Sequence, residues 1–123
     1  AIVNSVLNIY HDLIIVYGCG GERDSSERGK TMKFTCANSR KVIFTSDNCR
    51  NESFQSILDD SKKDQEYSNL IVEPDRKQAI KIGIDALKED EILLILGKGH
   101  EEFQEIKGTK IPFNDQRVVE EIL

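Results

Sequence analysis

The segment that most restricts the fold of this chain is LIIVYGCGGERD, Leu13 to Asp24. Five apolar residues, Leu13 to Tyr17, run into Gly18, Cys19, Gly20 and Gly21, and then into Glu22, Arg23 and Asp24. A short apolar run with no polar alternation, closed by glycines, reads as a strand buried on both faces. In open α/β sheets ligands bind beyond the carboxyl ends of such strands. Glycine there lets the backbone come close to a ligand without a Cβ in the way; the plain alternative is a tight strand-to-loop turn.

Two later segments repeat the pattern. Val42–Thr45 leads into Ser46, Asp47, Asn48, Cys49 and Arg50, and Ile92–Leu96 leads into Gly97, Lys98, Gly99, His100 and Glu101. The spacing predicts helices at Ile2–Tyr10, Thr31–Asn38, Phe54–Asp60 and Arg76–Lys88, and a last one from Asn114 or Asp115 onward. Met32, Phe34, Cys36 and Ala37 are expected to form the buried side of the second, and Ala79, Ile80, Gly83, Ile84 and Leu87 that of the fourth. Asp75 is placed to cap that fourth helix. Leu70–Glu73 reads as a short strand, and Phe103–Ile106 with Lys110–Phe113 as a hairpin about Gly108. Strands alternating with helices imply right-handed crossovers and a three-layer α/β domain, a mostly parallel sheet flanked by helices. With 123 residues the chain is expected to be one domain, residues 1–123. The first helical pattern opens without a cap. That leads to the expectation of a piece cut from a longer protein.

Charge and cysteine content narrow the function. A net charge of −5 opposes nucleic-acid binding, which needs a basic face. No apolar run reaches membrane-spanning length. Cys19, Cys36 and Cys49 are an odd set without close spacing, as expected of free thiols in a reducing compartment. No zinc or other metal site is expected, because there is no CxxC pair and His11 and His100 lie far apart.

Two phosphate-loop patterns fail on inspection. Arg23 stands where a dinucleotide fingerprint beginning at Gly18 requires glycine, and Asp24 stands at the first glycine of a Walker-type loop ending Gly29-Lys30-Thr31. The charged strand ends carry more. Arg23 offers a planar fork for a carboxylate or phosphate; the plain alternative is a surface pair with Glu22 or Asp24. Asp47, Asn48 and Arg50 combine an anion, an amide and a cation, the mixture a zwitterionic amino acid needs, although an Asx turn would use the same residues. His100 is a candidate base, orienter or donor, or a structural histidine. Asp59-Asp60 and Lys88–Glu91 read as solvated charge.

Taken together, YGCGGERD, TSDNCRNE and LGKGHE resemble the C-terminal domain of the Mur ligases, most closely that of the UDP-N-acetylmuramoyl-tripeptide synthetases. The family patterns are GCGGxRD, DNPR and GKGHE, and FNDQRVVEEIL resembles the usual family end. The resemblance implies a Rossmann-like fold, N-terminally truncated and lacking its first strand, because the family domain begins with a strand upstream of the Ile2 helix. It also implies a bacterial, cytoplasmic ATP-dependent ligase adding the third residue, meso-diaminopimelate, to UDP-MurNAc-L-Ala-D-Glu in peptidoglycan synthesis. ATP and magnesium would be bound mainly by a central ATPase domain of the same chain, the partner over which this domain closes. This segment alone would be inactive and would hold no catalytic residue of its own.

The resemblance implies an amino-acid pocket of Arg23, Asp47, Asn48, Arg50, Gly97 and Glu101, with Arg28, Lys98 and His100 in support. Arg50 would hold the distal carboxylate of diaminopimelate, while Gly97, through its carbonyl, and Glu101 would receive the distal ammonium. Cys49 departs from the family proline and leaves φ of the specificity turn unfixed. Lysine or ornithine therefore stay open as substrates. So does a different reading, a non-catalytic Rossmann-like module for another anionic metabolite.

Overall fold

The structure, a computed structural model, describes residues 13–19, 26–47, 51–89, 91–96, 103–106, 109–112 and 115–122. The predicted helix at Ile2–Tyr10 lies outside the described residues. β1 (Leu13–Tyr17) is buried at all five positions. It pairs in parallel with β2 (Lys41–Phe44) on one side and β4 (Ile92–Ile95) on the other, and β2 pairs in parallel with β3 (Leu70–Val72). The order β3-β2-β1-β4 makes β1 the strand through which both flanks are registered. The ladder runs a residue further at the carboxyl end: Thr45 N donates to Tyr17 O and Leu96 N to Val16 O, each at 2.9 Å.

Alternation along β1 and β2 divides the core into two layers. Leu13, Ile15, Tyr17, Val42 and Phe44 face Met32 and Cys36 of α1 (Arg28–Ala37) and Ile57 and Leu58 of α2 (Phe54–Lys62). Ile14, Val16 and Ile43 face Ala79 and Ile80 of α3 (Arg76–Ala86) and Val118 of α4 (Asp115–Ile122). Helices thus cover both faces, and the Rossmann-like three-layer expectation is met. Gly83 lets α3 sit close to the sheet, since a Cβ there would stand 3.0 Å from side-chain carbons of both Val16 and Leu93. Asp75 caps α3, accepting from the amides of Lys77 (3.0 Å) and Gln78 (3.3 Å), and Ser53 caps α2 by accepting from Ser56 N at 3.0 Å. β5 (Phe103–Ile106) and β6 (Thr109–Pro112) form the expected antiparallel hairpin as a sheet of their own.

Several expectations need correction. α1 begins at Arg28, three residues before the predicted start, and its buried side is Arg28, Met32, Thr35 and Cys36. Phe34 and Ala37 are exposed instead. With Arg28 included, the stripe runs i, i+4, i+7, i+8, which excludes position 34. α3 ends at Ala86, so Leu87 follows the helix in extended conformation and is exposed. β4, the most apolar of the strands in sequence, is only half-buried. Among the described residues it pairs on one side only, with β1.

Candidate functional site

The carboxyl ends of β1, β2 and β4 meet at one edge of the sheet. Gly18, the first residue beyond β1, lies against the turn that follows β2. A Cβ on Gly18 would overlap the Thr45 carbonyl oxygen and stand 3.0 Å from Asp47 N. Glycine is needed there because two backbones touch, whereas the close approach expected from the sequence is to a ligand. Asp47, half-buried, is the one candidate pocket residue of the principal set that the structure describes, and it sits directly against this contact. Arg23, Asn48, Arg50, Gly97, Lys98, His100 and Glu101 lie outside the described residues.

The residue that joins these ends was not singled out from the sequence. Arg76 has no exposed surface although it is the first residue of α3. Its Nε and Nη2 donate to the two oxygens of Asp115, the first residue of α4, at 2.8 Å each. Nη1 donates to the Ser46 carbonyl at 3.2 Å and Nη2 to the Leu96 carbonyl at 3.0 Å. One guanidinium therefore holds the residue preceding Asp47, the residue preceding Gly97 and the start of α4. The signals available in sequence were a cationic first residue after the Asp75 cap and an aspartate opening the last helix. Neither discloses its partner.

Arg28 opens α1 and is almost fully buried. Its guanidinium makes a two-pronged contact with Glu52, at 3.0 and 3.1 Å, and donates to Asp60 at 3.3 Å. Hydrogen bonding and the charge of Glu52 push its pKa further up. Asp60 was read as solvated charge; in the structure it accepts from Lys63 at 2.6 Å as well as from Arg28, and these bonds hold its carboxyl below the usual value. Glu91, read the same way, has a side chain only 2% exposed. It takes a fork from Arg40 at 2.6 and 2.8 Å, which lowers its pKa to about 2.

Cys19, next to Gly18, is half-buried with its Sγ 4.0 Å from Ser61 Oγ, and Cys36 is buried; burial pushes both thiols up. Both are therefore protonated near neutral pH and poor nucleophiles. Among the described residues no three His, Cys, Asp or Glu side chains group as a metal site, and no helix is long and apolar enough to cross a membrane. A cavity of about 470 Å³ lies between the start of α1 and the connector after α2, lined by Lys30, Lys33, Lys63 and Tyr67 among others. Among the described residues none of the strand-end site lines it, and its lysines at 30 and 63 face Glu27 and Asp60.

The fold and the gathered strand ends define a Rossmann-like domain, a parallel sheet with helices on both faces. Comparison with known proteins narrows this further: residues 1–99 match the family model described as Mur ligase, glutamate ligase domain, and the chain belongs to that family. It is 47% identical over 116 residues to the UDP-N-acetylmuramoyl-L-alanyl-D-glutamate--2,6-diaminopimelate ligase of Aquifex aeolicus, covering 90% of this chain and 23% of that protein. The ligase of the same name from Cytophaga hutchinsonii is 41% identical over 114 residues, 90% of this chain and 24% of that protein. A solved structure of a ligase of that name superposes with a TM-score of 0.88 at 33% identity, over 98% of this chain and 26% of the other. The chain thus spans about a quarter of the length of the relatives it matches.

Proposed function

We propose that the chain is the C-terminal, amino-acid-binding domain of an ATP-dependent ligase that adds meso-diaminopimelate to UDP-MurNAc-L-Ala-D-Glu. The observation that carries this reading is the meeting of three strand ends, at Gly18, Ser46 and Leu96, which lead in sequence into GCGGERD, DNCR and GKGHE. The names of the relatives support the same substrate.

In this reading ATP phosphorylates the D-Glu γ-carboxylate, the neutral amine of diaminopimelate attacks the acyl phosphate, and the tetrahedral intermediate expels phosphate. ATP and magnesium would be held mainly by the central domain of the longer chain. This domain's task is to bind and orient. Diaminopimelate carries two carboxylates and two ammonium groups, so its pocket needs cations and anions in alternation. Arg23 faces one carboxylate. Asp47, Asn48 and Arg50 form the specificity turn, with Arg50 on the distal carboxylate. The Gly97 carbonyl and Glu101 take the distal ammonium. Lys98 and His100 support the third loop, while Arg28 supports the site through Glu52 at the entry to α2.

The test is ADP release by the full-length ligase with meso-diaminopimelate, L-lysine and L-ornithine in parallel. Diaminopimelate is expected to be strongly preferred. Arg50→Ala should cut kcat/KM for it by the equivalent of about 1.5–3 kcal/mol, the value of a hydrogen bond to a charged group, while leaving lysine turnover nearly unchanged. Preference for lysine or ornithine would reassign the turn containing Cys49. Absence of turnover with all three would favour a module for another anionic metabolite.

A further inference from the structure

We infer that Arg76, with Asp115, is the positioning residue that fixes the carbonyls of Ser46 and Leu96 relative to one another, the two points from which the DNCR turn and the GKGHE loop set out in sequence. The inference rests on the reading of those loops as the diamino-acid site. It starts from a topological fact. β2 and β4 do not touch, because β1 lies between them. Yet the carbonyl that follows β2 by two residues, at Ser46, and the one that follows β4, at Leu96, accept from the same guanidinium. β1 registers both strands as far as Thr45 and Leu96. Among the described residues it is the fork that ties the Ser46 carbonyl, past that ladder, directly to the Leu96 carbonyl.

The geometry also excludes a direct role in binding substrate. Arg76 is fully buried, and its charge is met by both Asp115 oxygens at 2.8 Å. A paired, buried guanidinium does not present itself to a carboxylate ligand. Stability alone does not account for it either, since buried ion pairs are often replaceable by apolar residues of similar volume without loss. What an apolar pair cannot reproduce is two donors aimed at carbonyls from separate strands. The fork geometry also separates arginine from lysine, whose single ammonium cannot hold both carbonyls and a carboxylate in one plane. Gly18 completes the arrangement, because only its missing Cβ lets the turn after β2 come over the end of β1.

The experiment uses the full-length ligase in three forms beside the wild type: R76K, the apolar replacement R76M/D115L, and R40M/E91L as a matched control at the other end of the sheet. KM is measured separately for diaminopimelate, ATP and the UDP-dipeptide, together with Tm. Misplacing binding groups by about 1 Å is enough to cost ~100-fold. Accordingly R76M/D115L should keep its fold while raising KM for diaminopimelate about ten- to a hundredfold and leaving the other two KM values unmoved. R76K should fall between it and wild type. R40M/E91L should shift Tm and leave all three KM values in place.

An apolar pair that restores Tm and the diaminopimelate KM together would overturn the inference, as would equal rises in all three KM values. If wild-type enzyme turns over no diamino acid, the proposed function fails by itself, and amide hydrogen exchange then decides the positioning. R76K should speed exchange at Thr45 and Leu96 while sparing Arg40 and Val42. Uniform acceleration, or none, would overturn it. The same exchange measurement decides if R76M/D115L fails to fold.

Discussion

Two arginines hold this sheet, one at each end, and they differ in what they hold. Arg40 lies at the amino ends of β2 and β4. It takes Glu91 in a fork and also donates to the Ala86 carbonyl at 2.6 Å, where α3 ends. Arg76 lies at the carboxyl ends and takes Asp115 in the same way, but its remaining donors go to Ser46 and Leu96, each one residue short of a candidate binding motif. The first pair closes the back of the domain, where the chain only has to turn. The second stands behind residues that, in the reading above, must meet a ligand. Similar chemistry thus serves chain reversal at one edge and the joining of two strand-end carbonyls at the other.

The sharpest way to break this comparison is to remove one carboxylate at a time. Asp115→Ala strands a guanidinium with no exposed surface. Its expected cost is about 3–5 kcal/mol by urea denaturation, as for breaking a buried pair from one side. Glu91→Ala leaves Arg40, whose side chain is 27% exposed, free to reach water, so about 1.5–3 kcal/mol is expected. Equal losses would mean that burial of the arginine is not what separates the two ends.

A backbone test follows at the same edge. Gly18→Ala places a methyl on the Thr45 carbonyl, and backbone cannot step aside as a side chain can. A cost of about 1–3 kcal/mol is expected. Gly29→Ala, inside α1, meets only the flexible Lys63 side chain at 2.8 Å and gains helix propensity of about 1 kcal/mol, so it should be close to neutral. Comparing the two midpoints separates a glycine required by contact from one that is merely tolerated.

These contrasts show what could be read from the chain. LIIVY, the Asp75 cap, the turn at Gly18 and the parallel α/β order were legible because each depends on neighbours a few residues away. Phe34 was misassigned because the period of α1 is set by Arg28, a charged residue that nobody counts as part of an apolar stripe until its partners are known. Asp60 and Glu91 looked like solvent-facing charge because their arginines are 32 and 51 positions away in the chain. Arg76 reads as a helix start, and Asn114 or Asp115 as the start of the last helix; the pairing of Arg76 with Asp115 exists only once α3 and α4 lie side by side on the sheet. Local rules find the elements, whereas long-range ion pairs appear only with the topology.

Acid titration sharpens the account of the amino-end pair. The Glu91 carboxyl falls from an ordinary 4.5 to about 2 on folding, chiefly through its bonds to Arg40. A depressed carboxylate contributes stability that is fully present above its unfolded value and is lost as pH falls through the folded one. Glu91→Gln should therefore be less stable than wild type at pH 6, and the two unfolding curves should converge between about pH 4.5 and pH 2. A gap that persists unchanged down to pH 2 would mean that the pair contributes through packing rather than charge.

The smallest effect is expected where the same two helices are joined in solvent. Lys77, the neighbour of Arg76, reaches Glu121 of α4 at 3.0 Å, but their side chains are 54% and 61% exposed. Water already satisfies both charges, and each long side chain loses rotamer freedom in the pair, so Lys77→Ala should cost about 0–0.5 kcal/mol and less still in high salt. Asp115→Ala cuts the α3–α4 link one residue away, at a position where water cannot replace the lost partner. If the Lys77 variant proved as damaging as the Asp115 variant, helix docking itself would be the quantity at stake. A large difference between them assigns the effect to the buried fork and to the two strand-end carbonyls it holds.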